Sequence, residues 1–240
     1  MRRIRIRLAY DGGGFHGWQI QPGLPTIQGT LEEIVSSIEG KPVAVAGSGR
    51  TDAGVHALGQ VAAFSLENPI PVENLRRAIN RLLPPAIRLI AAEEAPLGFH
   101  PRFDAKSKSY EYRIARAEIC SPFDWPYVYH HPYPLEEDRM AVLARSFEGE
   151  HDFTAFAAAD ERDAEGKSKV RTIFSSELER RPGWMIYRVR GSGFLKHMVR
   201  NIVGTLLECG RGRLPRLDVL PERCGATAPA KGLFLVCVEY

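Results

Sequence analysis

The chain has 240 residues, of which 44% are hydrophobic and 25% are charged. This composition is typical of an ordinary soluble globular protein, with enough apolar residues for one large domain or two small ones. The net charge of +3 is too small to identify a nucleic-acid-binding protein by itself. Any electrostatic argument therefore depends on where the charges lie.

The cysteines indicate a reducing compartment and no zinc site. Cys120, Cys209, Cys224 and Cys237 form no Cys-x-x-Cys pair and have no histidine at metal spacing. The basic N-terminus leads into an alternating strand pattern instead of an apolar signal core, and no apolar run approaches the length of a membrane span. We therefore expect a cytoplasmic protein with reduced thiols, no metal and no membrane partner.

Hydrophobic spacing in the first half of the chain predicts a repeating order of strands and helices. Residues 3–9 alternate between aliphatic residues and arginines, which predicts a half-buried strand with a basic outer face. The predicted order is strand, helix, strand, strand, helix, strand, at residues 3–9, 31–38, 43–46, 60–64, 72–82 and 87–92. This is the ferredoxin-like arrangement, in which two helices cover one face of an antiparallel sheet.

The second half predicts the same order of elements. Its strands and helices are predicted at residues 109–115, 135–147, 170–178, 185–190, 194–208 and 233–238. We therefore predict an α+β protein of two ferredoxin-like βαββαβ units, 1–104 and 105–240, which resemble RRM domains in outline. Two such antiparallel sheets side by side would leave a central cleft that suits a long polymer.

A glycine-rich turn between two predicted strands, Gly47–His56, is the best candidate for a functional site. It carries Arg50 and Asp52 among small residues, which would let a large ligand approach the backbone. The turn is not a P-loop, because no lysine follows Gly54, and Asp52 stands where a dinucleotide fingerprint needs a glycine. From these residues alone, it is either a polar hairpin with a surface ion pair or an active-site loop.

Basic side chains group in two places. In the predicted helix 194–208, the spacing stacks Lys196 and Arg200 one turn apart on one face. Further arginines lie in or beside the first strand, where Arg3, Arg5 and Arg7 form its outer face, and others follow that helix. The complete set is Arg2, Arg3, Arg5, Arg7, Arg211, Arg213 and Arg216. These two basic stripes are either solvated faces or a track for RNA phosphates. Residues 106–113 add tyrosines among cations, a pattern found both in core packing and in base stacking.

Short motifs along nearly the whole chain are shared with one known family. They are Tyr10–Gln19, Thr26–Glu32, Gly49–His56, Phe99–Phe103, Tyr110–Arg113, His151–Phe156, Val170–Ile173 and Phe194–Gly204. With these motifs the chain resembles the TruA family of tRNA pseudouridine synthases. It departs from the usual pattern at Gly13, Asp104 and Lys196, none of which lies in the Gly49–His56 loop.

The resemblance implies an isomerase that uses no cofactor. By position, Asp52 is the family's catalytic aspartate, which acts at C1′ of the uridine either as a nucleophile or by starting an elimination. Arg50 resembles the arginine that helps to displace the target base, and Tyr110 matches the tyrosine that stacks on the extruded uracil. Arg200 matches the cation that holds the buried aspartate in its charged form.

The resemblance also implies the substrate and the assembly. We expect a homodimer that binds tRNA and modifies uridines 38, 39 and 40 of the anticodon stem-loop. The alternatives are a pseudouridine synthase that acts on other RNA sites and a non-catalytic RNA-binding module with paired RRM-like sheets. A metal-dependent nuclease is disfavoured, because Asp52 has no second carboxylate nearby in the sequence.

Overall fold

The computed structural model describes residues 1–159, 166, 168–214 and 220–240. The chain divides into two compact units, one formed by Met1–Lys106 with Phe234–Tyr240 and the other by Ser107–Leu233. This division differs from the predicted one at the end of the chain. The apolar pattern of the last strand identifies it as a strand but not its partner, and residues Phe234 and Leu235 pair in parallel with the first unit.

The first unit is a sheet with two helices. In chain order its elements are β1 (Arg2–Tyr10), α1 (Ile27–Glu39), β2 (Ala46–Gly47), β3 (His56–Leu66), α2 (Val72–Leu82), β4 (Ile87–Ala95) and, from the chain end, β10 (Leu233–Glu239). β1 lies between β4 and β3 and is antiparallel to both. β2 pairs antiparallel with β3, which gives the order β4-β1-β3-β2 and confirms the ferredoxin-like prediction for this unit.

The described residues of the second unit also combine a sheet with two α-helices. Its elements are β5 (Ser107–Ala115), β6 (Tyr129–His130), α3 (Glu137–Arg145), β7 (Gly149–Asp152), β8 (Val170–Arg181), β9 (Trp184–Gly191) and α4 (Met198–Gly210). β5, β9, β8 and β7 pair antiparallel in that order, and β6 runs parallel to β5. The α+β class is confirmed, and β6 and β7 are short strands that the sequence pattern did not predict.

The helix ends follow local capping chemistry. α1 begins at Ile27 instead of residue 31, because the Oγ1 atom of Thr26 accepts a hydrogen bond from the backbone N–H of Gly29 at 3.2 Å. The helix ends at Gly40, whose φ of 79° lies in the left-handed region. The first helix is therefore longer than its apolar stripe predicts.

The start of α4 corrects one sequence prediction. The helix was expected from residue 194, but it begins at Met198, because His197 has a φ of 62° and cannot continue a right-handed helix. Lys196 therefore lies before the helix and Arg200 lies within it. The prediction that these two cations stack one turn apart on a helix face is wrong.

Each unit has a core between its sheet and its helices. Ile4, Ile6 and Leu8 of β1 are buried, and α2 packs against β4. In the second unit α3 packs against α4 and β8. None of the helices in the described ranges is long and apolar enough to cross a membrane.

Candidate active site

The loop that carries Asp52 joins β2 to β3 in the first unit. Asp52 is half-buried, and its carbonyl accepts a hydrogen bond from the N–H of Val55 at 3.1 Å, which closes a tight turn. Gly54 within the turn has a φ of 76°. The backbone after Asp52 is therefore fixed by local geometry.

A second loop, which connects β1 to α1, fixes the backbone before Asp52. The N–H of Trp18 donates to the carbonyl of Thr51 at 3.0 Å. The preceding Gly17 has a φ of 87°, and a Cβ atom there would lie 2.5 Å from the same carbonyl oxygen. The indole of Trp18 covers Gly47, where a Cβ would lie 2.5 Å from the ring. Both glycines therefore permit the close approach of the two loops.

The first turn of α1 holds the Trp18 loop from its other side. The N–H of Ile27 donates to the carbonyl of Gly17 at 3.1 Å, and the N–H of Gln28 donates to the carbonyl of Trp18 at 3.0 Å. These two donors belong to the helix start, where backbone N–H groups have no partner within the helix. The helix thus anchors the loop that in turn contacts the residue before Asp52.

Arg50 lies at the exposed edge of the same loop. Its Nε donates to the side-chain oxygen of Gln19 at 3.1 Å. This contact connects Arg50 to the Trp18 loop, and the guanidinium remains accessible to a ligand in solution. Arg50 and Asp52 therefore occupy different environments although they are two residues apart.

His56 is a buried member of the loop region to which the sequence analysis assigned no role. Its ring stacks on Phe234 with 4.8 Å between centroids. Its Nδ1 accepts a hydrogen bond from the N–H of Gly12 at 3.1 Å and lies 3.1 Å from a carboxylate oxygen of Asp11. His56 therefore joins the start of β3 to the glycine-rich segment after β1. The motifs contained both His56 and Trp18, but only the tertiary contacts show what they touch.

The other predicted site residues lie in the second unit. Tyr110 on β5 is largely buried and meets Phe194 edge to face, with 5.0 Å between ring centroids. The Nε of Arg200 on α4 donates to the carbonyl of Ala228 at 2.8 Å. Tyr112, which the sequence placed among possible base-stacking residues, is fully buried and belongs to the core.

Many of the cations predicted to bind RNA are paired with carboxylates. Arg2 forms an ion pair with Glu94 at 2.8 Å, and Arg5 pairs with Glu93. The Arg3 guanidinium contacts the carbonyl of Phe99 at 3.2 Å, and Arg7 is exposed. The outer face of β1 therefore presents less positive charge than its sequence indicates.

The basic group after α4 is also balanced in part. Glu208 accepts from Arg211 at 2.5 Å and from Arg213 at 2.8 Å. The ammonium of Lys196 donates to the carbonyl of Ala159 at 3.1 Å. Arg216 lies outside the described residues.

An open cavity of about 430 Å³ in the second unit contains none of the predicted site residues. Part of its charged lining is paired, because Glu111 contacts Arg113 at 2.8 Å and Arg188 at 3.0 Å. All four cysteines are free thiols. Within the part of the chain that the structure describes, no three His, Cys, Asp or Glu side chains are grouped as metal ligands.

Comparisons with known proteins identify the family. A family model described as tRNA pseudouridine synthase matches residues 8–104 and 143–240. A tRNA pseudouridine synthase A from Solibacter usitatus is 78% identical over 240 residues, with 100% of both chains covered. The tRNA pseudouridine synthase A of Lacticaseibacillus casei is 42% identical, again with 100% of both chains covered. That of Geotalea uraniireducens is 44% identical with the same coverage.

One similar solved structure is an archaeal box H/ACA sRNP Nop10-Cbf5 complex. The match covers 97% of this chain and 46% of the other chain, with a TM-score of 0.35 and 12% sequence identity. This likeness is too weak to support any argument. The family match and the full-length relatives are decisive. The chain belongs to the tRNA pseudouridine synthase family, whose members isomerise uridine to pseudouridine in tRNA. The resemblance drawn from the motifs is confirmed.

Replacing Gly17 by alanine tests the contact between the two loops. We expect Gly17→Ala to lower the free energy of unfolding and to slow pseudouridine formation, because its Cβ would displace the carbonyl of Thr51. Gly23→Ala is the matched control, since Gly23 has a φ of 73° but no atom within 4 Å of its Cβ position. Left-handed strain alone costs about 1–2 kcal/mol, and the clash should add about 1–3 kcal/mol. Equal losses in urea denaturation would contradict the close approach.

Proposed function

We propose that Asp52 is the catalytic group with which this protein isomerises uridine in tRNA. The observation that carries the proposal is the position of its carboxylate, which is half-buried on a loop whose backbone is fixed immediately before and after it. A catalytic group held in one geometry lowers the entropic part of the barrier. The family to which the chain belongs identifies the reaction as the isomerisation of uridine to pseudouridine.

The isomerisation requires few catalytic side chains, so a single carboxylate can be sufficient. The bond between C1′ and N1 breaks, the uracil turns, a bond forms between C1′ and C5, and the proton on C5 is lost while N1 gains one. Atoms and electrons balance without an oxidant or a reductant. Glycoside hydrolases use two carboxylates, one of which activates water. An isomerase must instead exclude water, which a half-buried carboxylate favours.

Arg50 and Tyr110 are proposed to handle the base. Arg50 is exposed at the edge of the Asp52 loop, where a guanidinium can enter the space of the departing base. Tyr110 offers an aromatic ring that is already oriented by its contact with Phe194. Extruding a nucleotide costs a few kcal/mol, and stacking on an aromatic ring recovers about 1–3 kcal/mol per base.

Arg200 is proposed as the cation that keeps Asp52 charged. A carboxylate that is removed from water favours its neutral form, and an opposite charge reverses that preference. The Nε of Arg200 is occupied by the carbonyl of Ala228, which restricts the orientation of the guanidinium. Such restriction suits a positioned counter-charge.

Uridines 38, 39 and 40 of the anticodon stem-loop are the proposed targets, and the protein is proposed to act as a cytoplasmic homodimer. The motif resemblance supports the target positions and the dimer, and four free thiols agree with a reducing compartment. Mapping pseudouridine in tRNA from cells with and without the gene tests the positions. Light scattering tests the dimer, and a monomer at working concentration would refute it.

Replacing Asp52 tests the catalytic assignment. We expect Asp52→Ala and Asp52→Asn to abolish release of tritium from tRNA labelled at uracil C5 while tRNA binding is kept, because the carboxylate acts in the chemistry. Asp138→Asn is the control, since this side chain is 91% exposed on α3. Near-normal release by the Asp52 variants would overturn the assignment. If the wild-type protein binds several tRNAs but releases tritium from none of them, a non-catalytic RNA-binding module is favoured.

Replacing Arg200 tests the counter-charge. Arg200→Ala should slow turnover, because it leaves the Asp52 carboxylate without its proposed counter-charge. Arg200→Lys keeps the charge and should retain more of the wild-type rate. Equal rates for Arg200→Ala and Arg200→Lys would show that Arg200 acts in another way.

The salt dependence of tRNA affinity tests the basic face of β1. Each phosphate contact contributes about 0.7–0.9 to the slope of log affinity against log salt. We expect Arg7→Gln to reduce this slope, whereas the double variant Arg5→Gln/Glu93→Gln removes an existing ion pair and should leave it unchanged. A flat response of the wild type would exclude a phosphate track.

A further inference from the structure

Gln60 is a fully buried amide at the base of the Asp52 loop. It lies on β3 with 0% exposure. Its Oε1 accepts from the hydroxyl of Ser48 at 2.6 Å and from the N–H of Val61 at 3.2 Å. Its Nε2 donates to the carbonyl of Gly49 at 3.0 Å and to the hydroxyl of Tyr10 at 3.4 Å. All four hydrogen-bonding positions of the amide are therefore used.

The neighbours of Gln60 determine the orientation of its amide. The backbone N–H of Val61 can only donate, so the atom beside it must be the amide oxygen. The carbonyl of Gly49 can only accept, so the atom beside it must be the amide nitrogen. The two ends of the side chain cannot be exchanged without losing both bonds.

This orientation gives the network a direction. Because the Gln60 nitrogen can only donate to the buried Tyr10 hydroxyl, the Oγ1 of Thr51, 2.8 Å away, is the partner that can accept the hydrogen of that hydroxyl. Burial raises the pKa of Tyr10 to about 12, so the phenol keeps this hydrogen at neutral pH. The chain of donors runs from Gln60 through Tyr10 to Thr51.

Thr51 is the residue directly before Asp52, and it is held at two atoms. Its carbonyl accepts from the N–H of Trp18 at 3.0 Å, and its Oγ1 shares a hydrogen bond with the Tyr10 hydroxyl at 2.8 Å. The carbonyl contact ties the main chain of Thr51 to the Trp18 loop. The side-chain contact ties the same residue to β1, on which Tyr10 lies.

We propose that Tyr10, Gln60 and Thr51 are positioning residues, which set the direction of the Asp52 carboxylate through the hydrogen bond from Tyr10 to Thr51. The inference rests on the proposed role of Asp52. None of the three needs to touch the uridine. Since a displacement of about 1 Å in a catalytic group can cost about 100-fold in rate, loss of this contact should slow the chemical step without weakening tRNA binding.

Replacing Tyr10 by phenylalanine removes the hydroxyl and keeps the buried ring. We expect Tyr10→Phe to lower the single-turnover rate at saturating enzyme by about tenfold or more, with tRNA affinity unchanged. Tyr187→Phe is the matched control, because Tyr187 is fully buried in the second unit and its hydroxyl bonds to Ser176 at 2.7 Å. It should lose similar stability but keep the rate. Equal rates for the two variants would overturn the proposal.

A double-mutant cycle with Thr51 tests the same bond from its other end. Thr51→Val removes the acceptor and keeps the shape, so the variant Tyr10→Phe/Thr51→Val should be no slower than the slower single variant. Thr51→Ser keeps the hydroxyl and should retain most of the rate. Additive losses would refute the proposal, as would a Thr51→Ser variant as slow as Thr51→Val. If Tyr10→Phe does not fold, the comparison of the two Thr51 variants decides.

Asp52→Ala, measured beside these variants, separates the two proposals. If Asp52→Ala retains turnover, the role of Asp52 fails and the positioning inference fails with it. If Asp52→Ala is inactive while Tyr10→Phe turns over at the wild-type rate, only the positioning inference fails.

Discussion

The hydrogen bond from the N–H of Trp18 to the carbonyl of Thr51 is the constraint on which the candidate site depends. It joins two loops that leave different strands, and it forms only because the residue at position 17 has no side chain in the way. The first turn of α1 supports this contact with two backbone N–H groups. The candidate site is therefore held mainly by main-chain atoms.

The strand order of the first unit explains why side chains from two strands can form hydrogen bonds with the Asp52 loop. β1 and β3 are neighbours in the sheet, so Tyr10 at the end of one and Gln60 on the other meet beneath the turn. A buried polar group is costly unless it is fully bonded. Gln60 meets that condition, because its amide makes four hydrogen bonds. The buried amide can therefore hold the loop without leaving an unpaired polar group in the sheet.

Charge in this protein is arranged by pairing more than by excess. Arg2 and Arg5 of β1 pair with Glu94 and Glu93 of the neighbouring strand β4, and the arginines after α4 share Glu208. Exposed ion pairs of this kind contribute little to stability. They do reduce the net positive charge of the surface around them. This agrees with the small net charge of the chain.

The sequence by itself determined the four α-helices and the longer strands in outline, the α+β class and the family, because periodicity is local and motifs are read directly from residue order. It also identified Asp52 and Arg50 as candidates. Only the tertiary structure decided that β10 pairs with β3, that α4 begins after His197, and that Arg2 and Arg5 face Glu94 and Glu93. Arg2 and Glu94 are 92 positions apart in the sequence, and Arg5 and Glu93 are 88 positions apart. A local sequence pattern does not predict which distant residues become neighbours when two strands pair. For the same reason, the hydrogen bonds of Gln60 could not be predicted from the sequence.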